Sequence, residues 1–585
     1  MKLKIYFILL FSFSFIQGYS ISEKRKIFAK KISEEIVLDG EITESFWEEA
    51  QVTSDFVQYS PRDSIQAQLQ SEFRVAYDDK FLYIAAQMED ISEKKFIIGD
   101  LKRDFFGGSV DYMSFTFDTF QDETNGYMFG ISPFGVQREA LLSNGGEGSY
   151  NSGGGSRGGS SWFNINWNTK WYSEVKLHDG YWIAEFKIPF NSLRYKEGTK
   201  VWNFNSYRGN SKINENSVWT IIPLGFTPAN LSMTGEIEFE FPLEKSSQNL
   251  VFIPYMSGSG IRNKVSLPEK DFNFDAGLDI KMALSSSLNL DLTFNPDFSQ
   301  VEVDEQRTNL TRFELFLPEK REFFTDNADL FSNLGSRESR PMFTRRIGIA
   351  KDTTTSQYVQ NPIIYGAKLS GKLSDDLRIG ILNMQTSKLS NSGIPSYNYG
   401  MAVLEKNILK NSTVSGFIIN KQSLFNDDSK DYAHDLDNFN RVFGFESKLQ
   451  SNDTRFKSQL YYHHSLENEN NPNSNSYGVN ASYEKRNLES NIYFYAVGEN
   501  FNPEVGFVPR KDYIFLSPSF QYKFIPENSS INTHGPGIDY EFYRNRLNSL
   551  TDYDIDIDYN FRFKSSAYLV FKTNLLYTKL LYDFD

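Results

Sequence analysis

The positions of the tryptophans are the feature of this sequence that most directly indicates a binding site. Six of the seven tryptophans lie between residues 162 and 219, and the seventh is Trp47. A pyranose ring has C–H groups on its face and hydroxyl groups on its rim, so a site for it needs flat aromatic rings and a few polar groups. The candidate rings and candidate hydroxyl partners are Trp47, Trp162, Trp167, Trp171, Arg103, Asp104 and Asp111. Trp182 and Trp202 lie in apolar, strand-like segments and are expected in a hydrophobic core instead.

Four acidic residues are the candidates for hydrolytic chemistry. Glycoside hydrolysis needs two carboxyl groups, roughly 5–10 Å apart, that flank the scissile bond. The densest acidic group consists of Glu302, Asp304, Glu314 and Glu319. Because the sequence from Val301 to Asp304 alternates, Glu302 and Asp304 lie on the same side of a strand, where acids also pair with bases across a polar lumen. We therefore predict no catalytic residue, and a carbohydrate-active enzyme stays open as an alternative.

A second acidic group could hold a structural calcium ion in the first half of the chain. Asp118, Asp122 and Glu123 are close in sequence, and calcium is bound by carboxylate and carbonyl oxygens. Their spacing matches no known calcium loop, and aspartate is common in turns. A solvated turn is therefore the alternative interpretation. No other cofactor is predicted, because the five histidines are scattered and suggest neither a metal site nor a catalytic triad.

The second half of the chain is predicted to consist of strands with one apolar and one polar face. In residues 553–563, every odd position is aromatic or Ile, and every even position is charged or Asn. Side chains alternate between the two faces of a strand, and about 9–11 residues cross a bilayer when the strand is tilted. The same alternation recurs in residues 274–282, 288–294, 365–370 and 477–484. These strands indicate an antiparallel transmembrane β-barrel, while a large soluble β-sandwich or propeller stays open.

The first half is predicted to form a globular β domain over residues 34–243, followed by the barrel domain over residues 250–585. Asn125-Gly126 and Asp179-Gly180 are favourable hairpin turns between strand-like segments. Bulky residues on the inner positions of these strands indicate a two-layer sandwich, so the whole fold is expected to be all-β. The glycine-rich stretch 145–159 lacks the Gly-Lys-Ser/Thr ending of a phosphate-binding loop, and no nucleotide site is predicted.

Composition and the N-terminus limit the classes of function. The 585 residues carry a formal net charge of −14 and include no cysteine, and the mean hydropathy is −0.47. The negative charge argues against non-specific binding of nucleic acid, and the lack of cysteine excludes disulfides and thiol catalysis. Lys2 and Lys4 precede an apolar run at 5–16, which predicts a cleaved signal peptide over residues 1–20. Export and lipid-facing strands together predict the outer membrane of a two-membrane bacterium.

Motifs across the first domain resemble those of carbohydrate-binding module family 9-like domains. They are the segments 36–50 (IVLDGEITESFWEEA), 75–84 (VAYDDKFLYI), Arg103-Asp104, 127–136 (YMFGISPFGV), 180–194 (GYWIAEFKIPFNSLR) and 202–208 (WNFNSYR). The resemblance covers nearly the whole domain. It implies a β-sandwich whose relatives bind the ends of sugar chains between aromatic rings, often with calcium in a structural role.

Motifs in the second half resemble a barrel domain of unknown function from surface proteins of Bacteroidetes-type bacteria. They are the segments 294–304 (FNPDFSQVEVD), 309–324 (NLTRFELFLPEKREFF), 328–331 (ADLF), 342–348 (MFTRRIG) and 501–513 (FNPEVGFVPRKDY). This resemblance implies an outer-membrane barrel with no established activity. Relatives usually run further and end on a strand with a terminal aromatic residue, so a barrel that is incomplete at its C-terminus is expected.

Three functions follow from these features. The first is an exported outer-membrane protein whose sandwich binds a glycan or oligosaccharide and presents or passes it at the barrel, with outer-membrane lipid as its second partner. The second is a glycoside hydrolase with an accessory binding module. The third is a structural or secretion-related barrel whose sandwich binds protein or peptidoglycan.

Overall fold

A computed structural model describes most of the chain from residue 24 to residue 579. The predicted signal peptide, Glu302, Asp304 and most of the glycine-rich stretch lie outside the described residues. The described ranges are 24–34, 36–63, 65–92, 96, 99, 101–105, 107, 110–146, 162–165, 167–244, 250–262, 270–285, 287–296, 308, 313–317, 319–325, 327–336, 338–352, 355, 357–424, 439–468, 471–527, 529–547, 549–565 and 567–579.

Within the described residues, the N-terminal half contains thirteen strands and one short α-helix. The strands are β1 (Lys26–Lys31), β2 (Val57–Ser60), β3 (Ser71–Tyr77), β4 (Phe81–Glu89), β5 (Tyr112–Asp118), β6 (Gly126–Ile131), β7 (Gln137–Leu142), β8 (Phe163–Asn164), β9 (Tyr172–His178), β10 (Tyr181–Pro189), β11 (Val201–Asn210), β12 (Glu215–Val218) and β13 (Gly235–Phe239). Helix α1 spans Ser45–Glu49, and single 3-10 turns span Asn144–Gly146, Phe190–Ser192 and Leu231–Met233. The first strand thus begins ahead of residue 34, the predicted start of the domain.

These strands form the two layers of a sandwich. The strand order is β8-β7-β6-β5-β11-β13-β1-β3-β4-β10-β9, and β1 joins the layers because its first part pairs with β13 and its last part with β3. The surfaces on which the two layers pack are rich in aromatic rings, and these rings pack edge to face. Phe115 of one layer lies 5.4 Å from Phe73 and 5.1 Å from Phe186 of the other, measured between ring centroids. The predicted sandwich is confirmed.

The two predicted hairpins form, with one difference in the turn. Strands β9 and β10 are joined by Asp179-Gly180, and Gly180 has the positive φ of 83° that favours glycine at this position. Strands β5 and β6 also pair, but residues 119–125 connect them, and Gly126 is the first residue of β6. A Cβ on Gly126 would lie 2.7 Å from the carbonyl oxygen of Phe117, so the close approach of the backbone requires glycine here. The predicted Asn125-Gly126 pair therefore lies at the end of this turn, in which backbone N–H groups of residues 120, 122 and 123 donate to the side chain of Asp118.

The C-terminal half forms one large antiparallel sheet. Its strands are β14 (Leu250–Arg262), β15 (Lys270–Ala283), β16 (Leu288–Phe294), β19 (Ile363–Ser374), β20 (Leu377–Thr386), β21 (Ser396–Leu409), β22 (Ser412–Leu424), β23 (Phe439–Gln450), β24 (Phe456–Leu466), β25 (Asn475–Lys485), β26 (Leu488–Val497), β27 (Tyr513–Tyr522), β28 (Ile531–Arg544), β29 (Leu550–Phe563) and β30 (Tyr568–Thr578). A separate small hairpin consists of β17 (Ile349–Lys351) and β18 (Tyr358–Gln360).

Each strand of this large sheet pairs with the next one in the sequence. Within the described residues, β14 pairs only with β15 and β30 only with β29, so the barrel is not closed. This agrees with the expectation of an incomplete barrel. No helix in the described ranges combines the length and the apolar character that a membrane crossing requires.

One face of the large sheet is covered by residues 313–348, here named the inner segment. It contains α2 (Glu322–Thr325), α3 (Ala328–Ser332) and a 3-10 turn at Thr344–Arg346. Its side chains share one hydrophobic core with residues of strands from β19 to β27, so the sheet curves around it. Polar contacts fix it further: the backbone N–H of Gly335 donates to Glu446 on β23 at 2.6 Å, and the hydroxyls of Ser339 and Ser476 lie 2.8 Å apart.

The opposite face of the large sheet exposes apolar side chains. Tyr477 follows Ser476 on β25 and points away from the inner segment. It pairs across the strands with Tyr462, which pairs in turn with Phe445, and all three side chains are exposed. We name this the outer face. Its exposed members include Ile381, Leu404, Ile418, Phe443, Phe445, Leu460, Tyr462, Tyr477, Val479, Ile492, Leu516 and Phe520.

Candidate functional site

Glu139, at the centre of β7, is in contact with several of the predicted site residues. Its side chain is 0% exposed and accepts hydrogen bonds from Nε of Arg103 at 3.0 Å and from Nε1 of Trp171 at 3.2 Å. A terminal nitrogen of Arg103 also bonds Glu139 and reaches the carbonyl oxygen of Thr169 at 3.0 Å. Two predicted residues from distant parts of the sequence therefore meet on one buried carboxylate. Glu139 is not predictable from the sequence, because nothing in its local sequence distinguishes it from other strand acids.

Asp104 lies against the same carboxylate. It has a φ of 66°, its N–H donates to the carbonyl oxygen of Gln137 at 3.0 Å, and its side chain accepts the N–H of Glu139 at 3.3 Å. Burial, reinforced by the charge of Glu139, raises the pKa of Asp104 to about 6. Arg103, whose side chain is 40% exposed, links the buried Glu139 to the surface. We name Arg103, Asp104, Glu139, Thr169 and Trp171 the Glu139 cluster.

The four tryptophans predicted as sugar platforms are buried in this conformation. Trp171 stacks on Phe186 with ring centroids 5.5 Å apart, and Trp167 packs on Tyr127 at 5.4 Å. The other two pack on the residue next to them in sequence: Trp47 lies 4.8 Å from Phe46, and Trp162 lies 5.3 Å from Phe163. The rings fill the gaps between layers and loops, because burying large apolar surfaces is favourable. Sugar binding through these rings stays a prediction and would require them to become exposed.

Asp111 belongs to a different group. Its carboxylate accepts hydrogen bonds from the backbone N–H of Ser211 and from the Ser211 hydroxyl, the latter at 3.0 Å. Burial raises the pKa of Asp111, while the nearby charges of Arg208 and Lys212 oppose this effect. It therefore holds the loop after β11 in place instead of joining Arg103 and Asp104.

The predicted calcium ligands form a turn that contacts the large sheet. Asp118 is buried and accepts hydrogen bonds from the N–H of Glu123 and from Nδ2 of Asn203, both at 2.9 Å. Burial, followed by the charge of Asp122, raises the pKa of Asp118 to about 7. Lys372 of the large sheet binds Asp122. In the described residues, no group of three or more acidic, histidine or cysteine side chains is arranged to hold a metal ion, and a calcium ion at this turn stays a prediction.

The structure describes two of the four acids that were candidates for hydrolytic chemistry, Glu314 and Glu319, and both are paired with arginines. Glu319 lies 2.7 Å from Arg321 and accepts the hydroxyl of Thr344 at 2.6 Å. Glu314 lies 2.5 Å from Arg346. These acids stabilise the inner segment, and the other two candidates, Glu302 and Asp304, lie outside the described residues.

The sandwich is fixed to the large sheet by ion pairs with its short turns. Glu123 lies 3.2 Å from Lys410 in the turn between β21 and β22, beside the contact between Asp122 and Lys372. Two more pairs join the domains: Asp63 with Arg486 at 2.6 Å, and Lys196 with Asp375 at 2.9 Å. The turns involved all follow an odd-numbered strand of the sheet and therefore lie at the same end of it.

A cavity of about 360 Å³ lies between the sandwich and the inner segment. Phe120, Tyr127 and Phe163 line it from the sandwich, and Phe316 and Phe343 line it from the inner segment. Its volume falls within the range of roughly 300–1,000 Å³ that is typical of small-molecule sites. We name it the interdomain cavity.

Solved structures similar to the chain divide into two groups. A carbohydrate binding module family 9 from Caldicellulosiruptor kristjanssonii in complex with glucose is 15% identical, covering 38% of this chain and 98% of its own, with a TM-score of 0.25. A putative carbohydrate-binding protein from Bacteroides uniformis is 14% identical, with coverages of 37% and 100% and a TM-score of 0.29. Pseudomonas aeruginosa OccK7 (OpdD) is 9% identical, with coverages of 90% and 92% and a TM-score of 0.25. No curated protein matches the chain.

Two protein families match the chain, one in each half. Residues 38–212 match the carbohydrate family 9 binding domain-like family, which agrees with the sandwich formed by these residues. Residues 247–584 match a domain of unknown function, DUF5916, which accounts for more than half of the chain and includes the whole large sheet. The protein therefore belongs to the DUF5916 family and carries a family 9-like carbohydrate-binding domain in front of it.

Proposed function

We propose that the protein binds carbohydrate through its sandwich while the large sheet holds it in an outer membrane. The observation that carries this proposal is the match of residues 38–212 to a carbohydrate-binding family, over the residues that fold into the sandwich. Arg103 of the Glu139 cluster supplies a guanidinium that is partly exposed and held in one orientation by the buried carboxylate of Glu139. Such a group can donate hydrogen bonds to sugar hydroxyls without losing its own position.

The outer face of the large sheet supports a membrane location. Phe445 is 58% exposed and Phe443 is 42% exposed, on a strand whose other face meets the inner segment. Apolar patches of this extent are rare on soluble monomers and mark contacts with lipid or with other proteins. Strands with an apolar face toward lipid and a partly polar interior are typical of outer-membrane barrels.

The turn lengths support a periplasmic position for the sandwich. The ion pairs from the sandwich go to the turns 375–376, 410–411 and 486–487, whereas residues 425–438 and 498–512 connect strands at the other end. Outer-membrane barrels carry short turns on the periplasmic side and long loops outside. The sandwich would then meet either oligosaccharides that have crossed the membrane or glycan of the cell wall.

Binding by the full chain in detergent micelles tests the carbohydrate part of this proposal. Isothermal titration would use glucose, cellotriose, maltotriose, chitotriose and soluble peptidoglycan fragments. We expect saturable binding of at least one glycan, with weaker binding by the Arg103→Ala variant and no release of reducing sugar. The absence of binding to every glycan would contradict the proposal. Release of reducing sugar would instead favour a hydrolase.

Cysteine labelling in intact cells tests the location, since the chain has no cysteine of its own. Asp453 lies in a short turn between β23 and β24, and Glu499 lies in a long connection at the opposite end of the sheet. A membrane-impermeant maleimide should label Glu499→Cys in intact cells and Asp453→Cys only after the outer membrane is opened. The reverse pattern would place the sandwich outside the cell, and a soluble, fully labelled protein would overturn the membrane location.

A further inference from the structure

We infer that the interdomain cavity binds one end of a neutral oligosaccharide between the sandwich and the inner segment. This inference rests on the proposed function and names a second place of contact for the same class of ligand. The cavity has walls from both domains, so neither the sandwich nor the large sheet would form it alone.

The charges of the cavity lining indicate a neutral ligand. Each carboxylate among its lining residues is paired with a cation: Asp122 binds Lys372, Asp329 lies 2.8 Å from Arg378, and Glu319 lies 2.7 Å from Arg321. Two further cations line the cavity: Arg194 lies beside Asn289, and Arg340 lies over the ring of Phe316 at 4.2 Å. A strongly charged ligand would have to compete with these ion pairs at the cost of its own hydration. A ligand with many hydroxyl groups and no net charge avoids this cost.

The aromatic lining supplies the flat surfaces that a pyranose needs. Phe120, Tyr127 and Phe163 on the sandwich side are only partly buried, as are Phe316 and Phe343 on the other side. Phe316 and Phe343 pack together with centroids 5.1 Å apart, which fixes their position. These rings differ from the four predicted tryptophans, because each lines open space.

Amide groups in the lining supply hydrogen bonds suited to hydroxyl groups. Nδ2 of Asn333 is buried and has no hydrogen-bond partner, although buried polar groups are normally paired. Nδ2 of Asn164 reaches across the domain boundary to the carbonyl oxygen of Thr325 at a long distance of 3.4 Å. Sugar hydroxyls both donate and accept, so a bound sugar would satisfy the Asn333 amide and could also bond Asn164.

Two cavity variants and one matched control test the inference in the full chain in detergent. Asn333→Leu removes the unpartnered amide at nearly constant volume, and Ser332→Phe fills the cavity from α3. Asn407→Leu is the control, because Asn407 is a partly buried asparagine of β21 that does not line the cavity. The probes are cellotriose, maltotriose and chitotriose, with trigalacturonate as the charged counterpart, and thermal unfolding shows whether each variant is folded.

We expect both cavity variants to bind the preferred neutral trisaccharide at least tenfold more weakly than the wild type, and Asn407→Leu to bind it normally. If either folded cavity variant binds it as the wild type does, the inference is wrong while the proposed function stands. If trigalacturonate binds tightest, the neutral ligand class is wrong. If the wild type binds no glycan at all, the proposed function and this inference both fail.

Discussion

The sandwich and the large sheet use aromatic residues in opposite ways. In the sandwich, Phe115, Trp182 and Trp202 are almost fully buried between two layers. In the large sheet, Phe443, Phe445 and other large apolar residues lie on the outer face, where no other part of the protein covers them in the described residues. Apart from the parallel pairs that β1 makes in the sandwich, both regions are built from antiparallel strands, and their sequences alternate in a similar way.

This difference shows that alternation along a strand identifies an apolar face but not what covers it. In the sandwich the second layer supplies the cover, and the free energy of burial stabilises the fold. In the large sheet the inner segment covers only one face. We therefore expect lipid or a partner protein to shield the apolar outer face from water. The two regions should therefore respond differently to the same substitutions.

The largest effect is expected in the sandwich core. Phe115→Ala removes a ring that packs against both layers, and we expect it to lower the free energy of unfolding by about 3–5 kcal/mol because it leaves a cavity. Phe28→Ala, at an exposed position of β1, should change it by no more than about 0.5 kcal/mol. Denaturant unfolding of the first domain in the full chain measures both. Equal effects would contradict the assignment of Phe115 to the core.

A charge on the outer face should have the next largest effect. Phe443→Arg places a cation where we propose lipid, which costs about 2–4 kcal/mol near the centre of a bilayer. Leu177→Arg is the matched variant on an exposed strand position of the sandwich, and we expect a change within about 0.5 kcal/mol. Unfolding of the protein in liposomes compares the two. Similar, small effects would mean that water covers the outer face.

Loss of the Glu139 carboxylate should have a moderate effect confined to the sandwich. Glu139→Gln weakens the hydrogen bonds from Arg103 and Trp171, and we expect a loss of about 1–2 kcal/mol, limited by the solvent exposure of Arg103. Glu174→Gln, on an outward position of edge strand β9, is the control. Chemical denaturation with tryptophan fluorescence follows both variants. A variant as stable as the wild type would show that the cluster does not contribute to stability.

The smallest effect is expected for the pH dependence of stability, because solvent screens the charge of the partly exposed Asp104. The pKa of Asp104 is raised to about 6, so the folded state binds its proton more tightly than the unfolded state. Protonated Asp104 therefore stabilises the folded state. Its contribution to the free energy of unfolding is fully present below the unfolded pKa of about 3.9 and is lost as the pH rises through 6. Asp104→Asn should therefore lose less stability than the wild type between pH 4 and pH 7. Parallel pH profiles of the two unfolding midpoints would contradict the raised pKa.

Patterns local to one strand or turn were predictable, and contacts between distant residues were not. Residues 553–563 alternate as a strand should and lie within β29, and Asp179-Gly180 forms its turn, because both depend on neighbours in sequence. Arg103 meets Glu139 only because β7 and the loop before β5 are brought together by the sandwich. The acidic turn at Asp122 is explained by Lys372, which lies in the other domain.

The central claim is that lipid covers the outer face of the large sheet. A spin label at Phe443→Cys in liposomes tests this claim most directly. The same label at Leu177→Cys on the sandwich is the reference. We predict that the label at position 443 collides more often with oxygen, which dissolves in lipid, and less often with a water-soluble nickel chelate. The label at position 177 should show the opposite order. Equal access of the chelate to both positions would contradict the account.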